Sequence, residues 1–317
     1  MNLTEEAVIL QVMGIRMYAF GAYVALGALG SLVTLCVMCR VYRMKPGTAF
    51  LTFLLSALCG LFCSRISFCL MNQELGKMMP LHSWFEVSGG GWSMFGLIGG
   101  VFLGGWLSGI ISRQKRGRIM DALSIAILPL MIAERIGENR IEDFDISRTL
   151  QNEFLAKSFL AVGEDDRCLM TYYIAAAVCL VLFAVLLIKA SRGCRAGNIA
   201  VTFLLLFGAA SIITESLRYD YFLSISFVGL QQVAAAVMLA IGVALAIYRS
   251  GRPKSVLAVA AAVSIPLMVG AVIGLEFALD RTTWNKILIY IAMIITVSIP
   301  AGLGLRLLKT GEEGKRQ

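Results

Sequence analysis

The sequence predicts an all-α polytopic membrane protein with about nine transmembrane helices, its N-terminus outside and its C-terminus in the cytoplasm. Composition, a series of long apolar runs and alternating loop charge predict this class. Of the 317 residues, 58% are hydrophobic and only 15% are charged, whereas a soluble domain has about 45–50% apolar and about 25% charged residues. One soluble core cannot hide an excess of this size. The composition therefore excludes a cytosolic enzyme, a disordered chain and a secreted disulfide scaffold.

Nine apolar runs are long enough to cross a hydrocarbon core of about 30 Å, which takes roughly 17–25 residues. In chain order they lie near 17–39, 48–71, 94–112, 119–137, 169–188, 198–217, 225–248, 255–277 and 286–306. The first run follows the acidic Glu5 and Glu6 and lacks a basic n-region. We therefore expect it to be a membrane span and not a cleaved signal peptide.

The loops between these runs alternate in charge. Basic residues concentrate near 40–45, 113–118, 189–195, 249–254 and 306–316, whereas acidic residues concentrate in 138–168. By the positive-inside rule the basic loops face the cytoplasm, which places the N-terminus outside. The acidic segment 138–168 is then predicted to be a small cap on the outer side. The net charge of +8 is a topology signal and indicates no nucleic-acid partner.

The cysteines and the single histidine indicate neither a metal nor a cofactor. Most of the eight cysteines lie in apolar runs, where a thiol behaves as a small hydrophobic side chain. Cys36 and Cys39 form a CxxC pair, but no second pair or histidine completes a zinc site.

Five ionisable side chains fall where lipid is expected. Arg65 lies in the second run, Glu134 and Arg135 in the fourth, and Glu215 and Arg218 at the end of the sixth. A charge at membrane depth costs roughly 2.5–3.5 kcal/mol, so each residue is a functional candidate. The orientation places all of them near the outer ends of their spans. We expect the three arginines and Glu215 to line one outward-facing cavity that binds a phospholipid headgroup, because guanidinium matches phosphate oxygens bidentately.

Each of these charges also has a purely structural explanation. Long side chains readily snorkel to the interface or form salt bridges between helices. Glu215 and Arg218 are spaced i, i+3, so they share a helix face and are placed to pair.

The glycine-rich segment 89–100, which contains Gly90, Gly91 and Gly96, has two interpretations. Glycines before a helix allow close backbone approach and leave N–H groups at the helix N-terminus, which suits an anion. Together with Gly104 and Gly105, the same glycines are also typical of a small-residue packing face. The sequence leaves both interpretations open.

Four stretches, taken in this order, resemble the prolipoprotein diacylglyceryl transferase family. They are the aromatic segment 15–23 (IRMYAFGAY), the segment 64–68 (SRISF), the glycine-rich run continued by 118–137 with its Glu134–Gly137 ERIG signature, and the segment 207–220 (FGAASIITESLRYD) with Gly229 and Gln231 behind it. Together they cover residues 1–250.

The resemblance implies a fold and an activity. It implies a seven-span domain over 1–250, so that 251–317 adds two transmembrane helices and a basic cytoplasmic tail. The implied activity is lipoprotein biosynthesis: the diacylglyceryl group of phosphatidylglycerol is transferred to the lipobox cysteine thiol of a prolipoprotein. The reaction belongs to the outer side of the bacterial plasma membrane. Phosphatidylglycerol and prolipoprotein signal peptides are the implied partners, and no cofactor is needed.

Such a transfer needs a nucleophilic thiol and a neutralised phosphate leaving group. By resemblance, Arg135 and Glu215 are catalytic, and Tyr18, Arg65, Gly137 and Arg218 bind the phospholipid. We add Glu138 to the catalytic residues as a candidate replacement base, and we add Gly90, Gly91 and Gly96 to the phospholipid-binding residues as the anion cradle.

The sequence departs from the family where protons are handled. The family's motif histidine falls on Phe95, its asparagine after Arg-x-Gly on Glu138, and its arginine before the sixth-span glutamate on Ser211. His82 and Glu138 are candidates to replace the lost base, although both are placed in outer loops, where solvated side chains are common.

Two alternatives to transfer follow from the residues. A catalytically impaired homologue would still bind phosphatidylglycerol or lipoprotein precursors. A small-molecule transporter would carry polar residues at the bilayer midplane, whereas the ionisable residues here lie mostly at the outer ends of the spans.

Overall fold

The computed structural model describes residues 8–12, 15–71, 91–140, 147, 157–162, 168–218, 224–225 and 228–313. These residues form nine α-helices, which confirms the predicted all-α class. The helices are α1 (Ala19–Val41), α2 (Thr48–Met71), α3 (Met94–Ile111), α4 (Arg116–Gly137), α5 (Thr171–Ser191), α6 (Asn198–Leu217), α7 (Leu230–Ser250), α8 (Val256–Arg281) and α9 (Lys286–Glu313). A single 3-10 turn, Glu138–Arg140, follows α4.

Short antiparallel strand pairs accompany the helices. They are β1 (Val8–Val12) with β2 (Ile15–Tyr18), β3 (Ala161–Val162) with β4 (Cys168–Leu169), and β5 (Ser224–Ile225) with β6 (Val228–Gly229). The first pair leads directly into α1, and the third leads directly into α7. Within the predicted cap 138–168, the structure describes 138–140, 147, 157–162 and 168, and its placement on the outer side stays a prediction.

Among the described residues, eight helices are long and apolar enough to span a membrane, and the chain is a multi-pass membrane protein. The remaining helix, α4, is of similar length but carries five ionisable residues. It tolerates them because most of its residues are buried within the protein, including Asp121 and Arg135. The direction of the chain across the membrane stays a prediction.

Two compact units divide the chain, Met1–Leu187 and Ile188–Gln317. In the first unit, α2 packs along α3, and α1 packs along α4. In the second, α6 packs along α7, and α9 contacts α6, α7 and α8. The predicted division at 250/251 concerned the seven-span domain and its two-helix extension, and it stays a prediction.

Glycines allow α2 and α3 to pack at very short range. A Cβ on Gly100 would lie 2.2 Å from the carbonyl oxygen of Cys59, and one on Gly104 would lie 2.5 Å from that of Leu55. No side chain fits where a neighbouring backbone is this close. For these two glycines the structure supports the packing interpretation. Gly99 lies on the exposed side of α3, and a Cβ added there would have no atom within 4 Å.

Candidate functional site

Two buried arginines contact the segment 91–94, which leads into α3. The first, Arg65, lies near the end of α2 and donates a hydrogen bond from Nη1 to the carbonyl oxygen of Gly91 at 3.0 Å. Its guanidinium carbon lies 5.9 Å from the ring centroids of Phe68 and Trp92, within cation–π range. Gly91 has φ +73°, and a Cβ there would lie 2.4 Å from the Phe68 ring. Only glycine fits this position.

The second arginine, Arg135, reaches the same segment from the last turn of α4. Its Nη1 donates to both carboxylate oxygens of Glu138, at 2.9 and 3.2 Å, and its Nε lies 3.6 Å from the Glu134 carboxylate. Its Nη2 lies 3.4 Å from the sulfur of Met94, the first residue of α3. The structure thus places the Arg65 and Arg135 side chains on one four-residue segment.

Hydrogen bonds fix the start of α3 against α2. The Ser64 hydroxyl donates to the carbonyl oxygen of Ser93 at 2.7 Å, and the Ser93 N–H donates to the carbonyl oxygen of Ser64 at 3.2 Å. The Ser93 hydroxyl accepts from the N–H of Gly96 at 3.3 Å and so caps the helix. One N–H of the predicted anion cradle is therefore used within the chain. A Cβ on Gly96 would lie 2.6 Å from Ser67, so Gly96 also serves packing.

Removing the cap is expected to cost about 1 kcal/mol of stability. We expect Ser93→Ala to lower the free energy of unfolding by this amount, because the Gly96 N–H loses its acceptor. Ser255 caps α8 with the same geometry, accepting from the N–H of Ala258 at 3.2 Å, so Ser255→Ala is a matched reference. Denaturant unfolding of the purified protein in detergent measures both. An unchanged midpoint for Ser93→Ala beside a lowered midpoint for Ser255→Ala would contradict the capping role.

Glu138 is buried, contrary to its expected place in a solvated outer loop. The 3-10 turn continues directly from α4 and brings the carboxylate back against Arg135, so that only 2% of Glu138 is exposed. The next residue, Asn139, accepts a hydrogen bond from the Tyr172 hydroxyl of α5 at 3.2 Å. Sequence periodicity marks neither contact, because a single turn has no repeat to detect.

The start of α1 packs against the end of α4. Tyr18 ends β2 and precedes the first residue of α1, and its side chain is half-buried. A Cβ on Gly137 would lie 2.9 Å from Cβ of Tyr23 and 3.3 Å from the ring of Phe20. Gly137 therefore permits this contact two residues from Arg135. Of the other predicted residues, Gly90 and His82 lie outside the described residues.

Glu215 and Arg218 form an ion pair at the end of α6, in the second unit. Arg218 Nη1 lies 3.3 and 3.2 Å from the two carboxylate oxygens of Glu215, and both side chains are largely buried. The pair expected from the i, i+3 spacing is present. That this pair shares one cavity with Arg65 and Arg135 stays a prediction.

One buried carboxylate, Glu276 of α8, was not predicted from the sequence. Its Oε1 accepts a hydrogen bond from Nε2 of Gln232 at 2.7 Å, and only 5% of Glu276 is exposed. The available signal was a carboxylate within the predicted apolar run 255–277, directly before its last residue. Within the described ranges, no group of three or more His, Cys, Asp or Glu side chains is placed to hold a metal ion.

Comparison with known proteins identifies the family. The family model described as prolipoprotein diacylglyceryl transferase matches residues 7–248, about three quarters of the chain. No curated protein matches the chain. The matched range contains both buried arginines of the first unit and the Glu215–Arg218 pair, and it ends in the last turn of α7. The chain therefore belongs to the prolipoprotein diacylglyceryl transferase family.

Proposed function

We propose that the protein transfers the diacylglyceryl group of phosphatidylglycerol to the lipobox cysteine of prolipoproteins, at the outer side of a bacterial plasma membrane. Family membership supports the transferase class and the role in lipoprotein biosynthesis. The observation that carries the donor lipid is the pair of buried guanidinium groups, Arg65 and Arg135, on the segment 91–94. A buried charge is costly in a membrane protein and is by default a candidate functional site, and a guanidinium group matches the oxygens of a phosphate.

The reaction makes a carbon–sulfur bond and breaks a carbon–oxygen bond. The cysteine sulfur attacks the carbon of the diacylglyceryl group that is esterified to phosphate. The thiol proton passes to a base, and the headgroup leaves as glycerol phosphate with the bonding electrons. The leaving phosphate gains negative charge as the bond breaks. Positively charged groups held in place before the reaction stabilise such charge most effectively. We assign this role to Arg135, which Glu138 orients through two hydrogen bonds, and the binding of the headgroup to Arg65.

Two carboxylates are candidates for the base. A carboxylate has about four lone-pair sites, so Glu138 can bind Arg135 and still accept the thiol proton. Glu215, which is paired with Arg218, is the second candidate. A cysteine thiol is already a few per cent ionised at neutral pH, so a weak base is sufficient.

Phosphatidylglycerol or precursor binding without transfer is the second candidate function, and Phe95 favours it. The resemblance places the family's histidine at this position, directly after Met94, which contacts Arg135. A phenyl ring accepts no proton. Ser211, where the resemblance places an arginine, is buried in α6. Family membership favours both candidates over the transporter interpretation.

The test is transfer by the full-length protein in proteoliposomes. Phosphatidylglycerol with a labelled acyl chain is supplied with a lipobox peptide, and label on the peptide is measured. We expect label on the cysteine peptide, none on the same peptide with serine at that position, and none from phosphatidylethanolamine. Saturable phosphatidylglycerol binding without transfer would support the second candidate. The absence of both transfer and binding would contradict the two proposals together.

A further inference from the structure

The helix that carries Glu215 is capped by a residue from beyond the family match. α6 ends at Leu217, and Arg218 follows with extended backbone. The last four carbonyl groups of a helix have no partner within the helix. One of them, the carbonyl of Ser216, accepts a hydrogen bond from the Tyr290 hydroxyl of α9 at 3.2 Å. α9 therefore supplies a donor that the end of α6 needs.

A second set of contacts joins α8, through α7, to the preceding turn of α6. Gln232 of α7 donates from Nε2 to the carbonyl oxygen of Ile212 at 3.3 Å and to the carboxylate of Glu276 at 2.7 Å. Both side chains are buried. Glu276 thus holds the amide that contacts α6 three residues before Glu215.

α9 is also fixed to α6 farther along and at its other end. A Cβ on Gly304 would lie 2.7 Å from Leu205, so the two helices are in close contact there. Near the end of α9, Glu312 accepts a hydrogen bond from Asn198, the first residue of α6. Asn198 in turn accepts from Arg249 of α7 at 2.6 Å. Contacts at both ends therefore fix the position of α9 along the axis of α6.

We propose that α8 and α9 position the Glu215–Arg218 pair, with Tyr290 and Glu276 as positioning residues that act through the last two turns of α6. The two helices begin after residue 248, where the family match ends. Their contacts with α6 and α7 are therefore an addition of this chain to the family domain. The inference rests on the proposed function for its effect on catalysis. Its effect on structure, the restraint of residues 212–218, does not depend on the proposed function.

Tyr290→Phe is the sharpest test, because it removes one hydroxyl and keeps the ring. We expect amide exchange at the end of α6 to rise about fivefold, the effect of one hydrogen bond. We expect kcat for peptide lipidation to fall by a similar factor. The matched control is Tyr248→Phe, which alters an 82% exposed side chain and is expected to change neither quantity.

Glu276 is tested with two variants. Glu276→Ala removes the acceptor for Gln232 and is expected to speed exchange and lower kcat as Tyr290→Phe does. Glu276→Gln keeps an oxygen acceptor and is expected to restore both toward the wild-type values. Unchanged exchange at 212–218 in both Tyr290→Phe and Glu276→Ala would overturn the inference, and so would faster exchange with wild-type kcat.

Failure of the proposed function is separable from failure of the inference. Wild-type protein that shows no transfer contradicts the proposed function by itself. Hydrogen exchange is measured on the same protein without substrate, so faster exchange at the end of α6 in Tyr290→Phe then still supports the positioning. Unchanged exchange overturns it.

Discussion

Replacing Arg135 with alanine is expected to lower transfer to the lipobox peptide by at least about a hundredfold. Removing one group that stabilises developing negative charge typically costs about 10²–10³ in turnover. The substitution also takes the guanidinium away from Glu138, and the two side chains are only 4% and 2% exposed. Breaking a buried ion pair by removing one partner costs about 3–5 kcal/mol. Turnover per folded molecule, with the folded fraction measured by size-exclusion chromatography, is the quantity to compare.

Two further variants separate charge from stability. Arg40→Ala removes an exposed arginine at the end of α1 and is expected to leave transfer unchanged. Arg135→Gln combined with Glu138→Gln keeps a hydrogen-bonding pair without charge, so it is expected to fold well and still lose transfer. Full activity of folded Arg135→Ala would contradict the role assigned to this residue.

Gly100→Ala is expected to destabilise the first unit strongly. Its Cβ would lie 2.2 Å from the Cys59 carbonyl oxygen and 2.7 Å from Cα of Gly60. These are backbone atoms, so α3 has to move away from α2. Overpacking of this kind costs about 1–3 kcal/mol. It also strains the bonds between Ser64 and Ser93 that hold the site segment.

Gly99→Ala is the matched control, because an added Cβ there meets nothing within 4 Å. Helix propensity favours alanine over glycine by about 1 kcal/mol, so Gly99→Ala is expected to match or exceed the wild type in thermal unfolding. Equal unfolding temperatures for the two variants would show that α2 and α3 are not in the close contact described.

The helices were predictable because hydropathy and length define a membrane span. Most predicted starts agree with the observed ones within a few residues. The differences have local causes. α7 begins at Leu230 and not near 225, because Val228 and Gly229 pair as β6 with β5. α9 continues past the apolar run to Glu313, where its last turn contacts the first residue of α6 through Glu312.

The site was predictable only in part. The cost of a charge in lipid singled out Arg65 and Arg135, and the structure buries both. The sequence did not predict that Met94 contacts Arg135, because a methionine in an apolar run gives no indication of a functional role. Glu138 was expected in a loop because a single 3-10 turn leaves no pattern. Glu276 was missed because its partner, Gln232, lies on another helix and 44 residues away.

We propose that Arg65 and Arg135 together hold the phosphate of one phosphatidylglycerol molecule. Equilibrium binding of labelled phosphatidylglycerol to the full-length protein in phosphatidylcholine nanodiscs tests it most directly. We predict one saturable site in the wild type, unchanged in Arg40→Ala, and weakened at least about tenfold in the double variant Arg65→Ala, Arg135→Ala. Equal affinity in the wild type and in the folded double variant would contradict it.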